Sequence, residues 1–381
     1  MSGILPTYFH SFVVSSSHMD GSSVMKPVFG EHDTGGLIFT ESKWTRVLTE
    51  RTGFAMRDRL ETAMHDSEVT RLAVALIDNG QMTETYILAK KDTAPLQSDT
   101  IWTVASLTKP VFAYGVMLLA ERGIIDLDRP LQDYLPCPYT DDVFVPQMTA
   151  RQCLSHTTGF PNWRDAQGLR SAFMPGTKFS YSSEGLTYLQ HVVEHLIQMP
   201  LAVFLEQHVF APLGMRRTRL GLEAPGDLPP MLDFLTGTLL ANGALSLRTT
   251  IEDYARFVEA VWNTLPSVSR LGSHSVDEML RPQIAVSDIP DLHWGLGWGL
   301  QYLSSVLSFW HWGVRGIPKT MNFVMGIPSQ KKAIVIFTDH ANGLLLCKDI
   351  IELWIGESTT PAFEWLLPAQ EWRPDGKKRV L

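Results

Sequence analysis

A serine and a lysine three positions apart carry the clearest chemical signal in this chain. They lie in Thr103-Val104-Ala105-Ser106-Leu107-Thr108-Lys109-Pro110, where a β-prone run meets an apolar helix. Residues three apart share a helix face, so Lys109 stands one turn from Ser106. Pro110 is tolerated only in a first turn, which puts Ser106 at or beside the helix N-terminus, where the dipole favours developing negative charge. From Pro110 to Ala120 there is no charged residue, so the helix reads as buried nearly all round. A lysine desolvated there loses proton affinity and becomes a general base for the serine. The chemistry implied is acyl transfer through a serine ester.

Spacing alone leaves a second reading open, a capping serine beside a snorkelling lysine. S-x-x-K also occurs at Ser23–Lys26 and Ser329–Lys332, but neither copy lies at a strand-to-helix junction. His191-Val192-Val193-Glu194-His195 matches a zinc-protease pattern, H-x-x-E-H. Leu186, Leu189, Val193 and Leu196 mark the apolar face of that helix, which leaves His191, Glu194 and His195 on its polar side. No metal site and no cofactor are therefore expected. There is no G-x-S-x-G elbow, phosphate loop or EF-hand pattern.

The elements that must position Ser106 and Lys109 follow from the patterning of the 381 residues, of which 45% are hydrophobic and 19% charged. Residues 1–40 show no periodicity and read as an N-terminal extension. Helical spacing begins near Phe54. Strand-like runs Leu72–Ile77 and Thr85–Ala89 flank Asp78-Asn79-Gly80, a hairpin signal with a loop longer than two residues. Thr100–Val104 is β-prone, and the chain is then mostly helical to about Arg281. β-prone runs return at Trp298–Tyr302, Leu307–Trp312, Thr320–Met325 and Ala333–Thr338, before a helix over Leu344–Trp354. Strands at both ends predict an α+β fold. Residues 41–105 and 290–381 would form a discontinuous sheet domain, and 106–289 a mainly α-helical insertion, with a cleft between them.

The net charge of −8 and the lack of any basic run beyond Lys377, Lys378 and Arg379 argue against a nucleic-acid partner. Cys137, Cys153 and Cys347 are sparse and unclustered, which fits a reducing compartment. Residues 1–25 lack Lys and Arg, so no secretion signal is read and a cytoplasmic location is expected. The uncharged stretch Leu292–Val314 is too rich in Gly, His and Ser for a membrane span.

Three ordered segments bring a family into view. Ser106-Leu107-Thr108-Lys109, Tyr181-Ser182-Ser183 and His311-Trp312-Gly313 resemble the S-x-x-K, Y-x-N and K-T-G or H-x-G motifs of the serine β-lactamase and penicillin-binding-protein superfamily. Leu154–Gly159, Pro175–Tyr181, Pro212–Met215 and Gly295–Trp298 resemble its framework segments, and the likeness runs over residues 50–357. The esterase, transesterase and class C-like branch is the nearest in pattern. The resemblance implies Ser106 as nucleophile, Lys109 as proton acceptor and Tyr181 as proton shuttle. It also implies an oxyanion hole from the backbone N–H groups of Ser106 and Val314, with Gly313, Trp312 and His311 on one cleft wall. His311 is read equally as a structural histidine or a ligand contact.

Two departures bear on substrate. Ser183 replaces an asparagine that often holds a substrate amide, and His311 replaces a permanently charged lysine. Together they favour an ester or thioester over a β-lactam or D-amino-acid peptide, which stays the alternative. A catalytically silent binding protein is the alternative of another class. Partners are expected to be a small-molecule acyl donor and acceptor, and the oligomeric state is left open. Trp294, Trp298, Trp310 and Trp312 suggest an aromatic mouth that favours transfer, an argument that fails if Trp310 and Trp312 face the core.

Overall fold

A turn at Asn79-Gly80 starts the main sheet. Both residues take left-handed φ values, 50° and 80°, which fit a hairpin turn to the twist of its strands. The turn joins β1 (Arg71–Asp78) to β2 (Gln81–Ala89), with Asp78 paired to Gln81. The connection is therefore two residues, shorter than expected, because Asp78 and Gln81 already belong to the ladder.

The computed structural model describes residues 52–91, 93–164, 168–221, 241–262, 270–316, 319–340, 342–356 and 360–367. The extension expected over residues 1–40 lies outside these residues. The other strands are β3 (Trp102–Ala105), β4 (Arg219–Leu220), β5 (Leu247–Thr249), β6 (Ile284–Ala285), β7 (Leu292–Trp294), β8 (Gly299–Leu303), β9 (Val306–Gly316), β10 (Lys319–Ile327) and β11 (Lys332–Thr338). The helices are α1 (Thr52–His65), α2 (Thr108–Glu121), α3 (Ala150–Leu154), α4 (Ser183–Ile197), α5 (Leu201–Leu205), α6 (Ile251–Ala260), α7 (Ser273–Met279), α8 (Gly343–Ile355) and α9 (Pro361–Leu366).

Eight strands form an antiparallel sheet in the order β2-β1-β11-β10-β9-β8-β7-β6. Both faces are covered, and the alternation along β11 shows how. Ala333, Val335 and Phe337 join a core containing α2, α4 and α6, while Ile334 and Ile336 join one containing α1, α8 and α9. The fold is that of an α+β protein with an antiparallel sheet flanked by helices.

The run before Ser106 does not enter this sheet. β3 pairs with β5, and β5 with β4, in a separate three-stranded sheet. Strand residues thus come from within the stretch expected to be helical. Between Arg122 and Thr149 that stretch has only short 3-10 turns.

Candidate active site

β3 ends in a sharp turn at Ala105, whose φ of 49° is left-handed for a residue with a Cβ. Such strain persists only where the surroundings fix it, and here they do. Leu107 N donates to Val104 O at 3.1 Å and Lys109 N to Ser106 O at 3.0 Å. Thr108 Oγ1 donates to Ala105 O at 2.6 Å, and the Tyr254 hydroxyl to Leu107 O at 2.9 Å. Because Ala105–Leu107 make this turn, α2 begins at Thr108, two residues later than expected. Pro110 falls third in the helix, still within the first turn. Residues Thr108 to Leu119 are all buried, so the lysine has no route to solvent along its own helix.

Lys109 Nζ lies 3.0 Å from Ser106 Oγ and 2.8 Å from Ala244 O. It also sits over the Tyr181 ring, 4.9 Å from the centroid. The lysine is fully buried, and that burial holds its pKa well below the usual lysine range. A depressed pKa leaves a neutral amine able to accept the Ser106 proton. Ala244 carries no sequence signal for this contact, since a backbone carbonyl does the binding and 135 positions separate the partners.

Tyr181 precedes α4. Its hydroxyl is buried beside Ser106 without completing a hydrogen bond of normal geometry. Burial raises its pKa, and Ser106 offsets part of the rise. His156 packs on Tyr181 with ring centroids 4.3 Å apart, and its Nδ1 accepts the Ser182 N–H at 3.1 Å.

Ser183 is the residue expected as a substrate contact. It is buried at the start of α4, with its hydroxyl donating to Asn162 Oδ1 at 2.8 Å and its N–H to the same oxygen at 3.1 Å. Asn162 itself is exposed. Its type and spacing give no separate signal in the sequence, although it follows the Leu154–Gly159 framework segment closely.

β9 supplies the opposite wall. A Cβ on Gly313 would lie 2.1 Å from Val104 O and 3.1 Å from Ser106 N, so only glycine lets the strand come this close to the Ser106 turn. Val314 follows, with an exposed side chain. His311 is buried, and its Nδ1 lies 2.7 Å from Trp312 O, which assigns the ring proton to Nδ1. Burial pushes its pKa down to about 3, so the ring is neutral at ordinary pH. His311 therefore cannot stand in for a cationic lysine.

The tryptophans correct the expected aromatic mouth. Trp294, Trp298 and Trp310 are all fully buried. Only Trp312 of the four retains partial exposure, tilted against Tyr181 at 4.8 Å and edge-on to Trp365 at 5.4 Å. In the H-x-x-E-H segment, Glu194 Oε1 accepts the Leu201 N–H at 2.7 Å, while His191 and His195 point to solvent. Among the described residues no cluster of His, Cys, Asp and Glu could hold a metal ion. No helix of the described residues is long and apolar enough to cross a membrane.

A protein-family model described as Beta-lactamase matches residues 56–345. The chain belongs to this family of serine hydrolases. Among curated Beta-lactamase relatives, a penicillin-binding protein of Bacillus subtilis (strain 168) is 30% identical over 149 residues, 33% of this chain and 32% of that one. The match thus spans about a third of that relative's length. Esterase EstB of Burkholderia gladioli is 28% identical over 279 residues, 56% of this chain and 69% of that one. The octameric penicillin-binding protein homologue from Pyrococcus abyssi has a similar fold, with a TM-score of 0.64 at 18% identity, covering 81% of this chain and 78% of that one.

Proposed function

We propose that this Beta-lactamase family member is a cofactor-independent esterase that works through an acyl-Ser106 intermediate on small ester or thioester substrates. The observation that carries the reading is the 3.0 Å contact between Ser106 Oγ and the amine of a fully buried Lys109. In acylation, neutral Lys109 takes the Ser106 proton as Oγ bonds to the acyl carbon. The carbonyl oxygen becomes an oxyanion, received by the N–H groups of Ser106 and Val314. Collapse breaks the bond to the leaving alcohol or thiol, which takes a proton relayed from Lys109 through Tyr181. A tyrosine with a raised pKa serves better as a relay that loses and regains one proton than as a standing phenolate. The same pair then activates water, releasing acid and free Ser106.

A neutral His311 supports an uncharged ester better than a substrate needing a cation for its carboxylate. A β-lactam or D-amino-acid peptide is therefore the second reading. The burial of three of four tryptophans favours hydrolysis over transfer. We assign Ser183 an indirect part: it fixes the Asn162 carboxamide by its oxygen, leaving the Nδ2 hydrogens at the surface to meet an acyl-group carbonyl. Free Cys137, Cys153 and Cys347 agree with a cytoplasmic setting.

The deciding experiment compares p-nitrophenyl esters with a chromogenic cephalosporin, alongside fluorophosphonate labelling. Ester turnover, with the label on Ser106 and lost in Ser106→Ala, is expected. Cephalosporin turnover exceeding that of every ester would establish the second reading. Absence of labelling and turnover would leave a silent binding protein.

A further inference from the structure

We propose that Asn242 is a positioning residue for the reaction: it fixes the Ala244 carbonyl, and that carbonyl aims the Lys109 amine at Ser106. The inference rests on Lys109 acting as the base. A neutral amine has two N–H bonds and one lone pair. With one N–H held by Ala244 O at 2.8 Å, the lone pair can be kept on Ser106 Oγ, 3.0 Å away. A carbonyl free to drift would let the amine rotate out of line.

Besides the bond from the Lys109 amine itself, the carbonyl's position is set by the segment from Ala241 to Leu247. Asn242 is buried at its centre. Its Oδ1 accepts the Ala244 N–H at 2.7 Å, and its Nδ2 donates to Thr187 Oγ1 at 3.3 Å. Thr187 in turn donates to Ser183 O at 3.0 Å. The Asn242 backbone is locked as well, its N–H on Ser246 Oγ at 2.7 Å and its carbonyl receiving that hydroxyl at 2.9 Å. Gly243 N donates to Gln190 Oε1 at 2.8 Å, and Leu247 N to Thr108 Oγ1 at 2.9 Å. The segment is thus clamped between α4, which follows Tyr181, and α2, which carries Lys109. Asn242 is the side chain whose two ends join Ala244 to α4.

The ionisable groups facing the Lys109 amine include His156 and His311, both held neutral by burial, and Tyr181. A carbonyl acceptor favours the ammonium form, and an added carboxylate would favour it more. The two variants below therefore move the lysine in opposite directions.

The test is the pH dependence of p-nitrophenyl ester kcat/KM and of fluorophosphonate labelling for wild type, Asn242→Ala and Asn242→Asp. For Asn242→Ala the plateau should fall about tenfold or more, as misaimed catalytic groups do. Its KM should stay within about twofold, and its acid limb should move to lower pH. Asn242→Asp keeps an acceptor for Ala244 N–H, so it should recover part of the plateau while its acid limb moves to higher pH. A limb that stays in place in both variants overturns the proposal, whether the plateau holds or falls with the folded fraction measured by circular dichroism. Thr187→Val, which removes the far partner of Asn242 together with that hydroxyl's bond to Ser183 O, gives the same readout if either variant fails to fold. Undiminished labelling in Lys109→Met would instead remove the base assignment itself, a failure distinct from that of the positioning role.

Discussion

Lys109 Nζ stands 4.9 Å from the centroid of the Tyr181 ring, so the tyrosine presents its π face to the amine as well as its hydroxyl to the serine. The two contacts act on the lysine in different ways. The ring face favours the ammonium and opposes the burial that depresses its pKa. The hydroxyl acts only on proton transfer.

Separate substitutions should expose this division. Tyr181→Phe keeps the ring and removes the hydroxyl, so kcat should fall about 100-fold or more with the acid limb unmoved. Tyr181→Leu removes both, and its acid limb should also move to lower pH. The pH profile of kcat/KM for the two variants checks this. Identical limbs in both would show that the ring has no electrostatic role.

Burial of Lys109 also has a stability signature. The folded lysine has a pKa well below 10.5, the ordinary value that the unfolded chain regains. Between those two pKa values the unfolded state binds the extra proton, so stability rises with pH across that window. Lys109→Met has no such proton to bind. Its melting temperature should exceed that of the wild type by most at the low end of the window, the gap narrowing toward pH 10.5. Thermal melts at several pH values measure it, and a gap independent of pH would contradict the depressed lysine.

The Ser106–Lys109 pairing was legible because it is local: three positions in a helical frame need no tertiary knowledge. The β strands near both ends were legible from their apolar runs for the same reason. What escaped was whatever depends on segments meeting. β3 looks like any strand of the main sheet until its partners β5 and β4 are known. Ala244 reaches Lys109 through a backbone carbonyl, which every residue has. The aromatic mouth failed because four tryptophans close in sequence say nothing about depth, and three of them fill the core.

Gly313 should tolerate no side chain. A Cβ there meets the backbone Val104 O at 2.1 Å, so β9 or the Ser106 turn must shift. Gly313→Ala should cost about 1–3 kcal/mol of stability, as overpacking does, and lower the rate of Ser106 labelling at least about tenfold. Urea unfolding and labelling kinetics on the same preparation would separate the effects. A full labelling rate would mean that the close approach of β9 is not needed for acylation.

Asn162 offers a test of substrate class. Its Oδ1 is held by both donors of Ser183, and the proposed role gives Nδ2 to the substrate. Asn162→Ala should lower kcat/KM for an ester of an N-acyl amino acid about tenfold, the worth of one good hydrogen bond. For p-nitrophenyl acetate, which has no second carbonyl, it should change little. Ser183→Ala, which frees the carboxamide to rotate, should fall between the two. Equal losses on both esters would indicate a structural role for Asn162 and leave the acyl side chain unrecognised there.

The fate of the acyl-enzyme turns on Trp312. Of the four tryptophans near β9 it alone is partly exposed, and its ring packs at a tilt on Tyr181, the group assigned to activate the second nucleophile. One partly exposed indole, with Trp365 edge-on to it, offers an organic acceptor little apolar surface. Water needs no such surface. Feeding an activated ester with rising concentrations of short alcohols should therefore leave acid as the main product, with new ester a minor fraction that does not saturate. Removing the ring in Trp312→Ala should reduce that fraction further while sparing hydrolysis. If new ester instead overtook acid at millimolar alcohol and fell away in Trp312→Ala, the tryptophan would be an acceptor site and the enzyme a transferase.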